Sequence, residues 1–470
     1  MNPCANRNRR RFLSDVACGI GSLALGDLLH ADGASANPLA PRNPHFEGKA
    51  KSVIFMFMEG GPSQMDLYDP KPELMKWNGK PAPESVVKQL KLAFTKSNAS
   101  VLGSPRVFTP HGQSGMEISD WLPHIAANAD DICLVRSMVT DAFNHHPAQH
   151  LMFTGSQVFG RPTLGSWTVY GLGSESKNLP GFVVLASGAG TSGGASNFAC
   201  GFLPSSYQGT LLRSSGDPIL YLSNPEGVSM NAQRSAMNAI RDLNEMRMED
   251  TGDEEIAARI QSYELAYRMQ SAGPELVDFS KESPETLEMY GINDETTKAY
   301  GTNCLLARRL VERGVRFVLL MNASWDSHTQ LNKKLKANCD STDRGAGALI
   351  KDLKQRGLLD STLVVWGGEF GRTPVSEVRN TMEAGNAGRD HHPEGYSMWL
   401  AGGGIKGGQV IGKTDEMGFF VTEDKVHVHD LQATIMQCLG FDHEKLTYRY
   451  MGRDFRLTDI HGNVVKKMLA

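Results

Sequence analysis

Acidic and imidazole side chains stand at the ends of three separate apolar runs in this sequence. Carboxylate and imidazole groups that meet at one place suit a borderline or hard divalent cation. We therefore expect a metal site built from these side chains. They are Glu59, Asp326, His328 and Glu369.

Two histidine-rich stretches add further candidates. His391 and His392 are adjacent in a dense polar segment that precedes an apolar run, and we expect them to join the site. His145, His146 and His150 place three imidazoles within six residues. They could be ligands, since neutral imidazole suits Zn, Fe, Ni or Cu, or one of them could serve as nucleophile or general base.

The apolar runs predict the elements that position these residues. They are continuous rather than alternating, which is typical of strands covered on both faces, and segments with helical patterns lie between them. This order predicts an α/β fold with a mostly parallel central sheet and helices on both faces. The predicted strands are Ser52–Met58, Ile132–Val135, Pro180–Leu185, Val315–Leu320, Leu363–Trp366 and Ser397–Leu400. The main predicted helices are Ala148–Phe153, Thr296–Arg313, Ala346–Leu358 and His429–Leu439, with one or two amphipathic helices over Met230–Ser271.

The bulk composition excludes some function classes. The chain has 470 residues and a formal net charge of −4, which argues against a nucleic-acid or anionic-membrane binder. The sequence of the mature form has no run of about 20 apolar residues, the length that a membrane span requires. The seven cysteines include no C-x-x-C pair, so neither a disulfide framework nor a zinc ribbon is indicated.

The first 36 residues have the features of an export signal. Arg9–Leu13 reads Arg-Arg-x-Phe-Leu, a mildly apolar stretch follows, and Ala34–Ala36 offers a small-residue cleavage site. We predict a twin-arginine signal peptide over residues 1–36, a linker over 37–49 and one domain over 50–470. An irregular and helical insertion is expected at about 186–295. The predicted location is periplasmic or extracellular.

At three segments the chain resembles the alkaline phosphatase/sulfatase superfamily. Asp343–Gly371 is similar to its helix–strand–metal segment, Val426–Phe441 to its late helix, and His145–Gly155 to the nucleophile segment of sulfatases. More narrowly, the chain resembles twin-arginine-exported, sulfatase-like proteins grouped as domain of unknown function 1501. The shared stretches are the leader, GGPSQMDLYDPKP, WDSH, GGEFGRTP, GRDHHPEGYSMWLAGGGIKGG and a GRDF-containing tail.

This resemblance implies an alkaline-phosphatase-like fold and a divalent cation such as Zn, Ca, Mg or Mn. In a two-metal member, Asp326, His328 and either His391 or His392 would hold one cation. The carboxylates of Glu59 and Glu369 would help hold the other.

Two positions depart from the superfamily pattern. His145 stands where sulfatases and phosphatases carry a Cys, Ser or Thr nucleophile, and Phe370 stands where a ligand histidine follows the acid. The ordinary sulfatase mechanism is thereby excluded, since formylglycine cannot be made from histidine.

The resulting expectation is an exported metal-dependent hydrolase of sulfate, phosphate or related esters that lacks the usual nucleophile. Its substrate would be a small-molecule or polysaccharide ester. His145 or His146 would act as general base or extra ligand, and Arg372 would bind an anion. A non-catalytic exported binding or scaffold protein with a degenerate site is the alternative, and a redox or structural metal protein is a third class.

Overall fold

A nine-stranded sheet lies at the centre of the chain. The structure is a computed structural model. The described residues are 37–89, 99–188, 192–212, 224, 227–252, 254–377 and 386–470.

The structure assigns the following strands and helices. The strands are β1 (Ser52–Met58), β2 (Phe108–His111), β3 (Met116–Ser119), β4 (Ile132–Val139), β5 (Phe182–Ser187), β6 (Thr210–Leu212), β7 (Phe317–Asn322), β8 (Thr362–Gly367), β9 (Gly371–Glu377), β10 (Gly388–His392), β11 (Tyr396–Ala401), β12 (Gln409–Ile411), β13 (Lys413–Thr414), β14 (Val421–Glu423), β15 (Val426–His427), β16 (Tyr448–Tyr450) and β17 (Arg453–Phe455). The α-helices are α1 (Gln64–Leu67), α2 (Pro72–Trp77), α3 (Glu84–Val87), α4 (Pro123–Ala126), α5 (His145–Thr154), α6 (Leu164–Leu172), α7 (Met230–Thr251), α8 (Glu254–Val277), α9 (Pro284–Met289), α10 (Lys298–Glu312), α11 (Leu331–Gln355) and α12 (Val428–Cys438).

Strand β1 occupies the middle of the sheet. The strand order is β12-β4-β11-β8-β1-β7-β5-β6, with β15 also paired to β4. β1 runs parallel to both neighbours, with Val53 opposite Phe317 in β7 and opposite Leu363 in β8. Only β11 runs antiparallel to its neighbours among the described strands of this sheet. The predicted mostly parallel sheet is confirmed.

The side chains of β1 alternate between two hydrophobic clusters. Ile54, Met56 and Met58 pack on one face with residues of α10 and α11. The intervening side chains Val53, Phe55 and Phe57 pack on the other face with residues of α5, α6 and α12. All seven residues of β1 are buried, as a strand with helices on both faces requires.

Several predicted elements differ from the structure. Helix α11 begins fifteen residues before the predicted start at Ala346, because its amphipathic face already begins at Leu331. The segment Met230–Ser271, predicted as one or two helices, forms two, α7 and α8. Strands β9 and β10, which pair with each other, were not predicted, because neither sequence is a continuous apolar run.

The chain ends and the insertion are described only in part. The predicted signal peptide lies outside the described residues. Residues 37–49 hydrogen-bond to the body of the protein, for example from Arg42 N to Leu172 O at 2.8 Å, while the predicted domain boundaries stay predictions. No described helix combines the length and the apolar composition that crossing a membrane requires.

Candidate metal centre

The carboxyl ends of β7, β1 and β8 lie side by side, because β1 pairs with the other two strands. Glu59 follows β1, Asp326 lies four residues after β7, and Glu369 lies two residues after β8. The backbone N–H of Gly60 donates to both carboxylate oxygens of Glu369, at 3.1 and 3.2 Å. The sheet therefore brings the three predicted acids to one edge, as parallel strands do.

A Gly60–Gly61 turn permits this close approach. Both residues have positive φ, +114° and +78°. A Cβ atom on Gly60 would lie 2.3 Å from Asp326 N, and one on Gly61 would lie 2.8 Å from the Phe370 ring. Side chains at these two positions would push apart the segments that form the site.

Two other elements complete the site. Helix α5 begins at His145 and ends at Gly155, which takes the left-handed conformation at the C-cap. The antiparallel pair β9–β10 sets His391 opposite Arg372. This polar hairpin can be buried because its charges are paired with other segments: Arg389, fully buried, donates to Asp66 Oδ2 on α1 at 3.0 Å.

Four side chains converge at the strand ends. His328 Nε2 lies 2.9 Å from Asp326 Oδ1 and 3.0 Å from His391 Nε2. The same carboxylate oxygen lies 3.4 Å from His145 Nε2 and 3.7 Å from His391 Nε2. One ligand atom from each of the four residues lies within 4.8 Å of the others.

In each of the three histidines, the ring nitrogen that points away from the cluster, Nδ1, donates a hydrogen bond to an acceptor. His145 Nδ1 donates to Glu369 Oε1 at 2.6 Å, and His328 Nδ1 donates to Glu377 Oε2. His391 Nδ1 donates to the carbonyl of Phe143 at 2.6 Å. A carboxylate or a carbonyl only accepts, so each neutral imidazole directs the lone pair of Nε2 at the cluster.

This arrangement fits a single transition-metal cation. Three imidazole nitrogens and one carboxylate oxygen form a donor set typical of Zn and related metals. A tetrahedral site with ligand bonds of about 2.0 Å has ligand–ligand edges of about 3.3 Å, close to the separations from 2.9 to 3.7 Å around Asp326 Oδ1. Acceptors behind the imidazoles are the usual outer support of metal-ligating histidines.

Without a cation, the cluster holds protons. Burial lowers the pKa of His145, but hydrogen bonds to Asp326 and Glu369 outweigh burial and raise the pKa to about 9. Burial acts to raise the pKa of Asp326, yet contacts with the histidines and Arg372 hold it well below its usual value. Burial lowers the pKa of His391. A cation that binds here must displace the proton of His145.

Arg372 fixes the position of Asp326. Its guanidinium is fully buried and contacts Asp326 Oδ1, while Nε donates to Gly61 O at 3.0 Å and Nη1 to Arg389 O at 3.0 Å. A fourth contact reaches Gly60 O. All three nitrogens are engaged within the protein, so Arg372 acts on the carboxylate rather than on an outside anion.

A family comparison agrees with this arrangement of motifs. Residues 50–469 match the family described as Protein of unknown function (DUF1501). The chain belongs to this family. None of the curated proteins compared with the DUF1501 chain matches it.

Solved structures similar to the DUF1501 chain include members of the superfamily expected from the sequence. An alkaline phosphatase superfamily protein from Vibrio parahaemolyticus is 10% identical, with 92% of this chain and 74% of that chain covered and a TM-score of 0.38. The sulfatase PsFucS1 from Pseudoalteromonas sp. is 11% identical over 90% and 72%, with a TM-score of 0.36. The lipoteichoic acid synthase LtaP from Listeria monocytogenes is 9% identical over 90% and 80%, also at 0.36.

Glu59, Glu369 and Phe370 lie where the resemblance implied a second cation. The carboxylate of Glu369 supports His145, and one oxygen of Glu59 accepts from Ser192 N. The ring of Phe370 is fully buried and packs at 5.0 Å from the His145 ring and 4.4 Å from the His391 ring. An apolar ring thus fills the space beside the four-residue cluster.

The remaining predicted histidines lie outside the cluster. His146 is exposed, and its Nε2 contacts the carbonyl of Ser192. His150 is buried against Phe159, with ring centroids 4.1 Å apart. His392 is also buried, and burial lowers its pKa to about 4. It follows His391 in strand β10, where successive side chains point to opposite faces.

Sequence reasoning missed two residues that support the centre. Glu377, at the end of β9, contacts His328. Gln149, one turn after His145 on α5, donates to Glu369 Oε1 at 3.4 Å and to Ser192 Oγ at 3.0 Å. The i, i+4 spacing of His145 and Gln149 was a usable signal, whereas no signal pointed to Glu377 because its strand was not predicted.

Proposed function

We propose that this protein is a metal-dependent hydrolase of sulfate, phosphate or related esters with a single-cation centre. The proposal is supported above all by the convergence of three imidazole Nε2 atoms and one carboxylate oxygen, each imidazole oriented from behind by an acceptor. His145, Asp326, His328 and His391 would hold the cation. Zn or another borderline metal suits these donors better than Ca or Mg, which prefer all-oxygen sites.

The cation would supply a Lewis acid that polarises an ester oxygen and activates water. The chain itself sets the remaining conditions. An imidazole at position 145 replaces the hydroxyl or thiol nucleophile of the resembling enzymes, so water is the attacking group. The side chain of Asp326 is 43% exposed, so a substrate would reach the cluster from the side of Asp326.

His146 is the candidate general base. It is exposed, it follows His145 directly on α5, and its Nε2 faces the carbonyl of Ser192. That contact makes Nε2 the donor and leaves Nδ1 as an acceptor for a proton from water. His145 is better suited as a ligand than as a base, since Glu369 and Asp326 hold its two nitrogens.

A binding protein without catalysis is the second candidate. It is favoured by Arg372, whose guanidinium nitrogens are engaged within the protein, and by Phe370, which fills the space beside the cluster. Such a protein would keep the cation for ligand binding or stability alone.

The test joins metal analysis with an ester screen. Full-length protein purified without chelator should contain about one equivalent of transition metal. It should hydrolyse at least one of 4-nitrophenyl sulfate, phosphate and phenylphosphonate. His328→Ala should lose both metal and activity, whereas His461→Ala, an exposed histidine outside the cluster, should keep both.

The outcomes separate the candidates. Stoichiometric metal without hydrolysis of any ester, under added Zn and Mn, would favour the binding protein. A chain that binds no transition metal would contradict both.

Export by the twin-arginine pathway is a further part of the proposal, supported by the sequence Arg9–Leu13. A variant with Arg9→Lys and Arg10→Lys should stay in the cytoplasm with its leader attached. If this variant is exported like the wild type, the proposal is wrong.

A further inference from the structure

Helix α7 turns its apolar side chains away from the protein. It spans 22 residues and buries none of them. Ala232, Ala236, Ile240, Leu243 and Met246 follow helical spacing along one stripe. All five are exposed, and Leu243 and Met246 are 65% and 61% accessible.

The opposite side of α7 is mostly polar, although it is the side that faces α8. Arg234 pairs with Glu264 on α8 at 3.1 Å and lies over the Tyr267 ring at 4.9 Å. The partly buried residues of this side are Gln233, Arg234, Met237, Asn238, Arg241, Asn244 and Met248. A surface helix normally shows the reverse pattern, with its apolar stripe inward, so the outward stripe of α7 fits a contact surface.

We infer that this stripe pairs with the same stripe of a second copy of the chain, in an antiparallel arrangement about a two-fold axis near Ala239 and Ile240. The inference is independent of the proposed hydrolase activity. The side-chain sizes complement one another in this register: Ala236 of each copy lies opposite Leu243 of the other. Small residues facing large ones let two helices interdigitate.

The charges also favour this pairing. The C-terminal end of α7 carries Glu249 and Asp250, and the antiparallel register places them beside the partner's helix start at Met230. A helix N-terminus carries partial positive charge that stabilises nearby carboxylates. The helix is about 33 Å long, so it covers less than the roughly 800 Å² per partner of a standard interface. We therefore expect a dimer that dissociates on dilution.

A membrane surface is a less suitable occupant. Amphipathic helices that bind anionic bilayers carry Lys and Arg along the edges of the apolar stripe. Between Arg241 and Thr251, helix α7 carries four acidic residues against two arginines. The acidic residues are Asp242, Glu245, Glu249 and Asp250.

Sedimentation velocity of the full chain over a wide concentration range tests the pairing. The wild type should shift from monomer to dimer as concentration rises. Leu243→Asp should remain monomeric with an unchanged melting temperature, because this side chain is exposed in the monomer. Met451→Asp, at a residue 87% exposed and distant in sequence, should dimerise like the wild type.

Disulfide trapping tests the register. Under oxidation, Ala239→Cys should give a covalent dimer beyond the wild-type background. Ala232→Cys should do so only when mixed with Met246→Cys. A wild type that stays monomeric throughout, or Leu243→Asp that dimerises normally, would overturn the inference. Trapping of Ala232→Cys with itself would overturn the antiparallel register.

Discussion

Replacing Glu369 with Gln separates a one-cation centre from a two-cation centre. The Glu369 carboxylate is fully buried and accepts from His145 Nδ1 at 2.6 Å and from Gly60 N. An amide has one acceptor oxygen, so Glu369→Gln must set its NH₂ group against one of these two donors. The imidazole of His145 then loses either the acceptor that orients it or the negative charge next to its Nδ1.

The expected cost follows from that contact. Loss of an outer-shell partner of a metal-ligating histidine typically weakens metal affinity by about 10-fold to 100-fold. This range corresponds to about 1.4 to 2.8 kcal/mol of binding free energy. Glu59→Gln is the matched control, since Glu59 is a neighbouring buried acid whose carboxylate oxygen accepts from Ser192 N rather than from a cluster histidine. Glu59→Gln should change the metal affinity less than threefold.

Both variants and the wild type would be stripped of metal and titrated with Zn²⁺ against a chromogenic chelator. Melting curves of the metal-free proteins would confirm that each variant folds. Wild-type affinity in a folded Glu369→Gln variant would refute the role of His145 as an oriented ligand. Equal weakening by Glu59→Gln would instead indicate a cation held by the two acids.

Three further outcomes are expected. Arg372→Gln should lower the free energy of unfolding by on the order of 3 kcal/mol, because buried carbonyls lose their donors, and chemical denaturation measures this. Phe370→Ala should cost about 3–5 kcal/mol through the cavity it leaves beside His145; a loss below 1 kcal/mol in the same assay would contradict tight packing there. Burial raises the pKa of Asp343 to about 7, although two backbone N–H donors act against this, so its native pKa exceeds its unfolded value near 4. The native state then binds the extra proton, so the free energy of unfolding should fall as pH rises from about 4 to 7 and level off above. In Asp343→Asn this fall should be smaller. A variant with the same pH profile as the wild type would contradict the raised pKa of Asp343.

The parallel strands of the core could be predicted because each is a continuous run of apolar residues in the sequence. Ser52–Met58 was predicted with its observed bounds, since seven consecutive residues are buried from both sides. The antiparallel direction of β11 could not be predicted, because a buried apolar strand reads the same in either direction. The start of helix α11 was predicted too late because its first half presents mostly polar residues, and the apolar side chains that reach the core there, Leu331, Leu335 and Cys339, are widely spaced.

The site could be predicted residue by residue but not as an arrangement. Asp326, His328 and one of His391 and His392 were expected together, and the structure places His391 with them, whereas His145 could have been a base, a nucleophile or a ligand. The structure adds the two partners of its ring, Asp326 and Glu369, which suit the proposed ligand role better than the other two. Burial of the β9–β10 hairpin was not predictable, since it depends on charges that pair across distant segments, as in Arg389 with Asp66.

The order of elements along the chain constrains when the centre can form during synthesis. Strand β1 is made early, yet its sheet partners β7 and β8 come some 260 and 310 residues later, and the last residue of the cluster is His391. Contacts of such long sequence separation form slowly and late. A nascent chain therefore lacks the complete cluster until most of it has been made, and a cation bound by these four residues would have to be acquired after translation reaches β10.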